Sequence, residues 1–321
     1  MMPSMQTPLG YDRPLFVLAF DHRESFERTL FGIRGTPTTE ERAAISDAKS
    51  VIFDGFRLAA SAGPVPREAA GVLIDEEFGA DMARTAAAEG FVLAMPVERS
   101  GSEEFAFEYG EAFAEHLEAF DPTFCKVLVR YNPEGDREMN ARQAQRLARL
   151  SGWLRERGRR FLFELLVPPT PEQLERAGGD RDRVDREQRP RLMLTAMAEL
   201  QRSGVEPDVW KIEGLDDPDD CRRMSAAARA GGRDRVACVV LGRGADEAAV
   251  DRWLRAGAGV PGYLGFAIGR TIWWDSVDRY RRGSLDRAVA AQRIADRYGR
   301  FVDVYRTAAE ARARPNDRGR R

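Results

Sequence analysis

The sequence predicts a (β/α)8 barrel, the TIM-barrel form of the α/β class, with a C-terminal helical extension. Three observations lead there. Eight short runs rich in aliphatic, β-branched and aromatic residues recur along the chain, each of strand length. Longer amphipathic segments separate them, and several stop at glycine, as in "AEG", "RERG" and "QRSG", the usual C-terminal end of a helix. The length, 321 residues, suits one barrel of roughly 250 residues with additions. Strands alternating with helices give a parallel sheet. A doubly wound open sheet is the other way to arrange such units. It would want a glycine fingerprint after the first strand, and "AFDHRES" has none.

In order, the strands read "LFVLAFD" (15–21), "GVLIDEE" (71–77), "FVLAMPVE" (91–98), "FCKVLVRY" (124–131), "FLFELLV" (161–167), "DVWKIEG" (208–214), "VACVVLG" (236–242) and "GYLGFAIG" (262–269). The second and third are the weakest by composition. The segments between them include "TEERAAISDAKSVIFDGFRLAA", "NARQAQRLARLSGWLRERG" and "DEAAVDRWLRAGA". The domain plan is an N-terminal arm (1–14), a single barrel domain (15–310) and a basic, disordered tail (311–321). The polar stretch "RAGGDRDRVDREQRP" (176–190) follows the fifth strand, on the side where barrels keep their active sites. It reads as a solvated loop or helix start, with a lid as the functional alternative.

Composition excludes several classes. The formal net charge is −2, so no global field favours nucleic acid or a membrane surface. The short basic tail has no aromatic residues to stack on bases. No run approaches the roughly 20 apolar residues of a membrane span, and the N-terminus has no apolar core of signal-peptide length. Cys125, Cys221 and Cys238 are odd in number and widely spaced, against a disulfide framework or a zinc cluster and in keeping with a reducing cytoplasm. There are two histidines, His22 and His116. His116 falls in the helix-like "EYGEAFAEHLEAF", so a multi-histidine zinc site is not expected. No cofactor or metal is expected. Homo-oligomerisation is left open, since no pattern fixes an interface.

Charged residues inside apolar strands are the informative exceptions. Asp21 and His22 end the first strand, and Asp75, Glu76 and Glu77 end the second. Lys126 lies in the fourth, Glu164 in the fifth, and Lys211 and Glu213 in the sixth. Barrel strands point alternate residues inward and keep their chemistry at the C-terminal ends. Lys126, Glu164 and Lys211 on consecutive strands would therefore converge. A buried ion pair accounts for one lysine, but not for two lysines with one carboxylate. A neighbouring cation and desolvation both lower a lysine's pKa, and a neutral amine attacks a carbonyl to form a Schiff base. A carboxylate nearby can move the protons of that step. This is the logic of a metal-free aldolase. The second strand's acids read equally well as a solvated strand end or helix cap; a metal-dependent lyase built on them is a further alternative.

The last two strands carry Gly242, Arg243 and Gly244 in "VVLGRGAD", and Gly269 and Arg270 in "GFAIGRTIWWD". Barrels often bind phosphate with the loops after strands 7 and 8, using backbone N–H groups and a helix N-terminus. Arginine adds a charge-assisted fork. The bland alternative is a tight-turn glycine beside a surface arginine.

Together "LAFDHRESF", "KVLVRYNP", "FELLVPP", "DVWKIEG" and above all "GFAIGRTIWWD" resemble the aldolase domain fused to 5-dehydro-2-deoxygluconokinase in bacterial inositol catabolism. More distantly, with "VLIDEEFG" and "LAMPVERSG", the chain is similar to class I tagatose 1,6-bisphosphate aldolases. The resemblance runs from Leu15 to Tyr305. It implies a (β/α)8 class I aldolase with the Schiff-base lysine at Lys211, an acid/base glutamate at Glu164, the second lysine at Lys126, and Asp21 near substrate hydroxyls. It implies a sugar-phosphate substrate, for the inositol branch 2-deoxy-5-keto-D-gluconate 6-phosphate, split to malonate semialdehyde and dihydroxyacetone phosphate. This sequence carries no kinase domain, a departure from the fused form.

The mechanism expected from these residues has Lys211, kept neutral by Lys126 and burial, attacking the ketone while Glu164 manages water loss. Asp21 or His22 is the base for carbon–carbon cleavage. Gly242, Arg243, Gly244, Gly269 and Arg270 hold the phosphate, and Arg23 or Arg130 a second anionic group. A tagatose-bisphosphate or sulfosugar-phosphate aldolase is the nearest alternative, and a non-catalytic sugar-phosphate-binding barrel is the alternative from another class.

Overall fold

A computed structural model of the chain describes residues 8–314. Eight parallel strands close into a barrel in sequence order. They are β1 (Leu15–Ala19), β2 (Ala70–Leu73), β3 (Val92–Pro96), β4 (Phe124–Arg130), β5 (Arg160–Leu166), β6 (Val209–Glu213), β7 (Ala237–Leu241) and β8 (Tyr263–Ile268). The predicted barrel is thus the observed one. β2, expected to be weak, is the shortest strand, at four residues.

The alternation of strand side chains decides what fills the barrel. Leu15, Val17, Ala19, Leu73, Val92, Ala94, Phe124, Leu162, Val209, Ala237, Val239 and Ala267 form an interior cluster separate from the main core. The intervening residues, such as Phe16, Val127, Phe163 and Trp210, face outward into the layer beneath the helices. Two residues further along the same inward rows the apolar filling gives way to charge. Ala19 is followed by Asp21, Phe124 by Lys126, Leu162 by Glu164 and Val209 by Lys211. The site is therefore the top layer of the barrel's own packing.

Around the barrel lie α1 (Thr39–Ala62), α2 (Glu76–Ala88), α3 (Phe113–Phe120), α4 (Arg137–Glu156), α5 (Pro171–Arg176), α6 (Arg181–Glu187), α7 (Arg189–Arg202), α8 (Pro218–Arg229), α9 (Glu247–Gly257), α10 (Arg270–Arg281) and α11 (Arg287–Ala313). Their starts are chemically marked. Thr38 with Glu41, and Thr170 with Gln173, make capping boxes. Asp75, Asp136, Asp180, Asp217 and Asp246 cap α2, α4, α6, α8 and α9. The stretch 176–190 is mostly helical, holding α6 and the first residues of α7.

The C-terminal extension is structural. α11 packs against α1, α9 and α10, and the buried Tyr298 hydroxyl donates to the Phe16 carbonyl of β1 at 2.6 Å. Arg312 donates to the Ala256 and Ala258 carbonyls at the end of α9. Residues 311–313, expected in a disordered tail, continue α11 and Arg314 caps it; tail residues 315–321 and arm residues 1–7 lie outside the described residues. No helix among the described residues is long and apolar enough to cross a membrane.

At the N-terminal end of the barrel the buried Asp208 carboxylate accepts from the Gly10 amide and the Phe161 amide, both at 2.7 Å. Tyr11 is fastened to the Arg235 carbonyl at 2.9 Å and packs edge-on against Phe124. Gly10 has φ +110, and a Cβ there would lie 2.2 Å from the Arg235 carbonyl, so only glycine fits. Asp208→Ala leaves two buried amides without acceptors. A loss of about 2–4 kcal/mol is expected, read as a lower urea midpoint with an unchanged slope.

Candidate active site

Lys126 is 1% exposed and surrounded by carboxylates. Its Nζ donates to Asp21 Oδ2 at 2.7 Å and to Glu98 Oε1 at 2.6 Å, and lies 3.2 Å from Glu164 Oε2. That same Glu164 oxygen accepts from Lys211 Nζ at 2.9 Å. One carboxylate oxygen thus stands between the two lysines. The register explains it: Glu164 is directly opposite Lys211 across β5 and β6, while Lys126 is level with Leu162, one inward layer deeper.

The strand residues alone set one carboxylate, Glu164, against two lysines. The structure supplies three, because Asp21 and Glu98 also reach Lys126. Charge balance therefore no longer requires a functional lysine. What sets the cluster apart is its place on the wall of an open cavity of about 400 Å³ at the C-terminal ends of the strands, lined by Asp21, His22, Glu98, Lys126, Glu164 and Lys211 among others. A cluster needed only for stability could be replaced by apolar packing of equal volume.

The electrostatics follow from burial and proximity. Burial opposes the Lys126 charge, but Asp21, Glu98 and Glu164 outweigh it and hold the ammonium above the usual lysine range. Burial likewise works against the Glu164 carboxylate, yet Lys211 and Lys126 bring it below the ordinary range. Asp21 is depressed in the same way, chiefly by Lys126 against its burial. Glu98 goes the other way: burial lifts it above the usual range despite Lys126, and its Oε2 has no hydrogen-bond partner. Burial lowers His22 to about 4. Its imidazole is neutral at neutral pH, with Nδ1 unpartnered and 3.8 Å from Asp21 Oδ1.

The expected anion-binding residues divide. Gly242, Arg243, Gly244, Gly269 and Arg270 all line the cavity. Gly269 precedes α10, and Arg270 is its first residue. A Cβ on Gly269 would lie 2.3 Å from the Ala19 carbonyl and 3.0 Å from His22, so the β8–α10 turn presses directly on the end of β1. Trp273 completes this junction. Its Nε1 donates to the Ala19 carbonyl at 2.9 Å, and its ring stacks on Phe26 and meets the His22 edge. Arg270 forms no ion pair among the described residues. Arg243 does, with Asp185 at 2.6 Å and Glu213 at 2.9 Å.

Of the residues expected for a second anion, Arg23 is buried and engaged by Glu108 at 2.8 Å and by the Glu98 carbonyl. Arg130 donates to the Ser102 carbonyl at 2.9 Å and has no carboxylate partner among the described residues. Of the two candidates for a second anion, Arg130 has its charge available.

Two acids reach the site without a role assigned from sequence. Glu98 stands four residues beyond the inward-facing Ala94, and Glu213 two beyond Lys211, so strand parity was the available signal. Glu213 is lifted by burial to about 7. The second-strand acids do not form a site. Asp75 caps α2 and pairs with the buried Lys49, Glu76 meets His116 at 2.9 Å and Glu77 meets Arg42 at 2.8 Å. These divergent partners remove the geometric basis for a metal-dependent lyase built on the three.

Comparison with known proteins matches the chain both to a family and to solved structures. Residues 7–309 match the family described as "Uncharacterized protein conserved in bacteria (DUF2090)". Among solved structures, a fructose-bisphosphate aldolase from Plasmodium falciparum, determined in complex with TRAP and a small-molecule inhibitor, superposes with a TM-score of 0.65 at 12% identity, covering 92% of this chain and 91% of the other. At that identity the likeness is one of fold. No curated protein matches the chain.

Lys126→Met tests the charge cluster. It leaves three buried carboxylates without their shared cation and is expected to cost about 3–5 kcal/mol at neutral pH. Asp21 and Glu164 titrate below their unfolded values. The stability they contribute is complete above about pH 4 and is lost as pH falls through their folded values. The difference between wild type and variant should therefore shrink below about pH 4, in chemical unfolding measured across pH.

Proposed function

We propose, from the premise that the chain belongs to the bacterial family DUF2090, that it is a class I aldolase cleaving a phosphorylated keto sugar through a Schiff base. The observation that carries this is the Lys211–Glu164–Lys126 arrangement, with one Glu164 oxygen 2.9 Å from one amine and 3.2 Å from the other, at the wall of a cavity large enough for a sugar phosphate. The (β/α)8 form shared with a fructose-bisphosphate aldolase is in keeping with it.

In the mechanism, Lys211 Nζ adds to the substrate ketone. Glu164, held ionised beside Lys126, takes a proton from the attacking nitrogen and returns it to the departing hydroxyl, so that water leaves and the imine forms. Lys126 supplies a fixed positive charge on the other side of that Glu164 oxygen, which keeps the carboxylate ionised and ready to take a proton. With the imine nitrogen protonated from solvent, the hydroxyl β to the imine carbon gives its proton to a base, the carbon–carbon bond breaks, an aldehyde departs and the electron pair moves onto the iminium to leave a neutral enamine. Reprotonation of the enamine carbon and hydrolysis release the second product and restore Lys211. Of the two bases expected from sequence, Asp21 is held on Lys126 and titrates below His22, so the neutral His22 is the stronger base. Glu98, with one free oxygen, stands beside them.

Arg270 and the N-terminus of α10 are the proposed phosphate seat, with the Gly242 and Gly244 backbone alongside. Arg130 is the proposed partner for an anionic group at the other end. A substrate anionic at both ends fits 2-deoxy-5-keto-D-gluconate 6-phosphate, which would give dihydroxyacetone phosphate and malonate semialdehyde. A ketose bisphosphate shares that charge pattern, so turnover of a ketose-phosphate panel distinguishes the substrates. The enzyme is proposed to act in the cytoplasm without a metal or other cofactor.

Borohydride reduction in the presence of dihydroxyacetone phosphate should attach a three-carbon adduct to Lys211, located by peptide mass spectrometry. Phosphate binding with no adduct would leave only a sugar-phosphate-binding barrel. Lys211→Met should abolish both adduct and turnover. Glu164→Gln should retain the adduct-forming lysine but lower kcat by roughly 10²–10⁴. Arg270→Met should raise KM for the phosphorylated substrate at least tenfold while the protein stays folded by circular dichroism, a loss on the order of one or two charge-assisted hydrogen bonds.

A further inference from the structure

Arg243 lines the cavity, but its guanidinium is already held. Nη1 lies 2.6 Å from Asp185 Oδ2 on α6, and Nε lies 2.9 Å from Glu213 Oε1 on β6. Each acid is steadied in turn: Arg189 Nη1 is 2.8 Å from Asp185, and the Val167 amide donates to Glu213 Oε2 at 2.9 Å. Asp185 and Glu213 take up much of the positive charge of the two arginines, so this group presents less charge to an incoming anion than a free guanidinium would.

The backbone of Arg243 has a different use. Its φ is +53, the left-handed region that disfavours a residue with a Cβ. This conformation accompanies the hydrogen bond from Arg270 Nη2 to the Arg243 carbonyl at 3.2 Å. The next residue, Gly244, has φ +71, and a Cβ there would lie 2.9 Å from the Arg270 guanidinium. The turn 242–244 is thus shaped around Arg270.

We infer that Asp185, Arg243 and Glu213 form a clasp of positioning residues: it fixes the left-handed turn after β7, and that turn holds the Arg270 guanidinium where a phosphoryl group docks. The inference rests on the phosphate-binding reading of Arg270. It also gives the segment after β5 a function distinct from a lid. Helix α6 contributes Asp185, which does not itself line the cavity but holds the Arg243 guanidinium, so the clasp gives it a route to an anion through Arg243.

The test is calorimetric titration of the full chain with inorganic phosphate. Asp185→Asn, a near-isosteric change at a partly exposed position, should weaken phosphate roughly three- to tenfold, within the range for residues coupled through a shared partner. Arg243→Lys, which retains the charge but cannot fork between two carboxylates, should weaken it similarly. In an Arg270→Lys background, Asp185→Asn should change the affinity by less than about twofold, because the coupling runs through the Arg270 guanidinium. Native affinity in Asp185→Asn, a gain in affinity, or an equal loss in both backgrounds overturns the clasp. If Arg270→Met itself binds phosphate as tightly as wild type, the phosphate-binding reading fails and the clasp with it. A loss in Arg270→Met with none in Asp185→Asn removes the clasp alone.

Discussion

The chemistry of this barrel depends on the Lys126 ammonium. Deep in the top layer, it is the common cation for Asp21, Glu98 and Glu164. Without it, three carboxylates would face one another at low dielectric, where like charges cannot all stay ionised. With it, Glu164 keeps its charge and can lean toward Lys211 on the next strand. The carboxylate that balances the deeper lysine is also the one that touches the proposed nucleophile.

That arrangement needs a rigid support, and the barrel provides it through packing rather than through loops. The inward rows are filled from below by Val17, Phe124, Leu162 and Val209, so the charged residues above them have little freedom to move inward. At the rim, Trp273 joins α10 to the end of β1 through the Ala19 carbonyl. Gly269 permits that junction because a side chain would overlap the same carbonyl. The proposed phosphate seat at the start of α10 and the charged residues just beyond β1, Asp21 and His22, are thereby held at a fixed separation. In a Schiff-base reaction this spacing decides where the ketone carbon of a bound sugar phosphate lies relative to Lys211.

The mouth also shows how an arginine-rich sequence sorts its charges. Arg23 and Arg243 looked equivalent to Arg130 and Arg270 by strand position. Their partners separate them. Glu108 takes Arg23, and Asp185 with Glu213 takes Arg243. Arg130 and Arg270 meet only backbone carbonyls among the hydrogen bonds of the described residues. A guanidinium already forked onto carboxylates contributes to shape. One left with carbonyl acceptors retains most of its charge for a ligand.

By itself the sequence determined the eight strands, their order and which residues face inward. These follow from local composition and a period of two, and the row Lys126, Glu164, Lys211 was legible for the same reason. Its glycines also marked where several helices stop. Only the tertiary structure decided how many carboxylates meet Lys126, which arginines are already engaged, and that the second-strand acids turn toward Lys49, His116 and Arg42. Partners such as Glu108, Asp185 and Lys49 lie in loops and helices. Their side chains meet the strands only after closure of the barrel brings distant segments together, and no local pattern encodes that distance. Charge state depends on neighbours in space, whereas strand parity depends on neighbours in sequence.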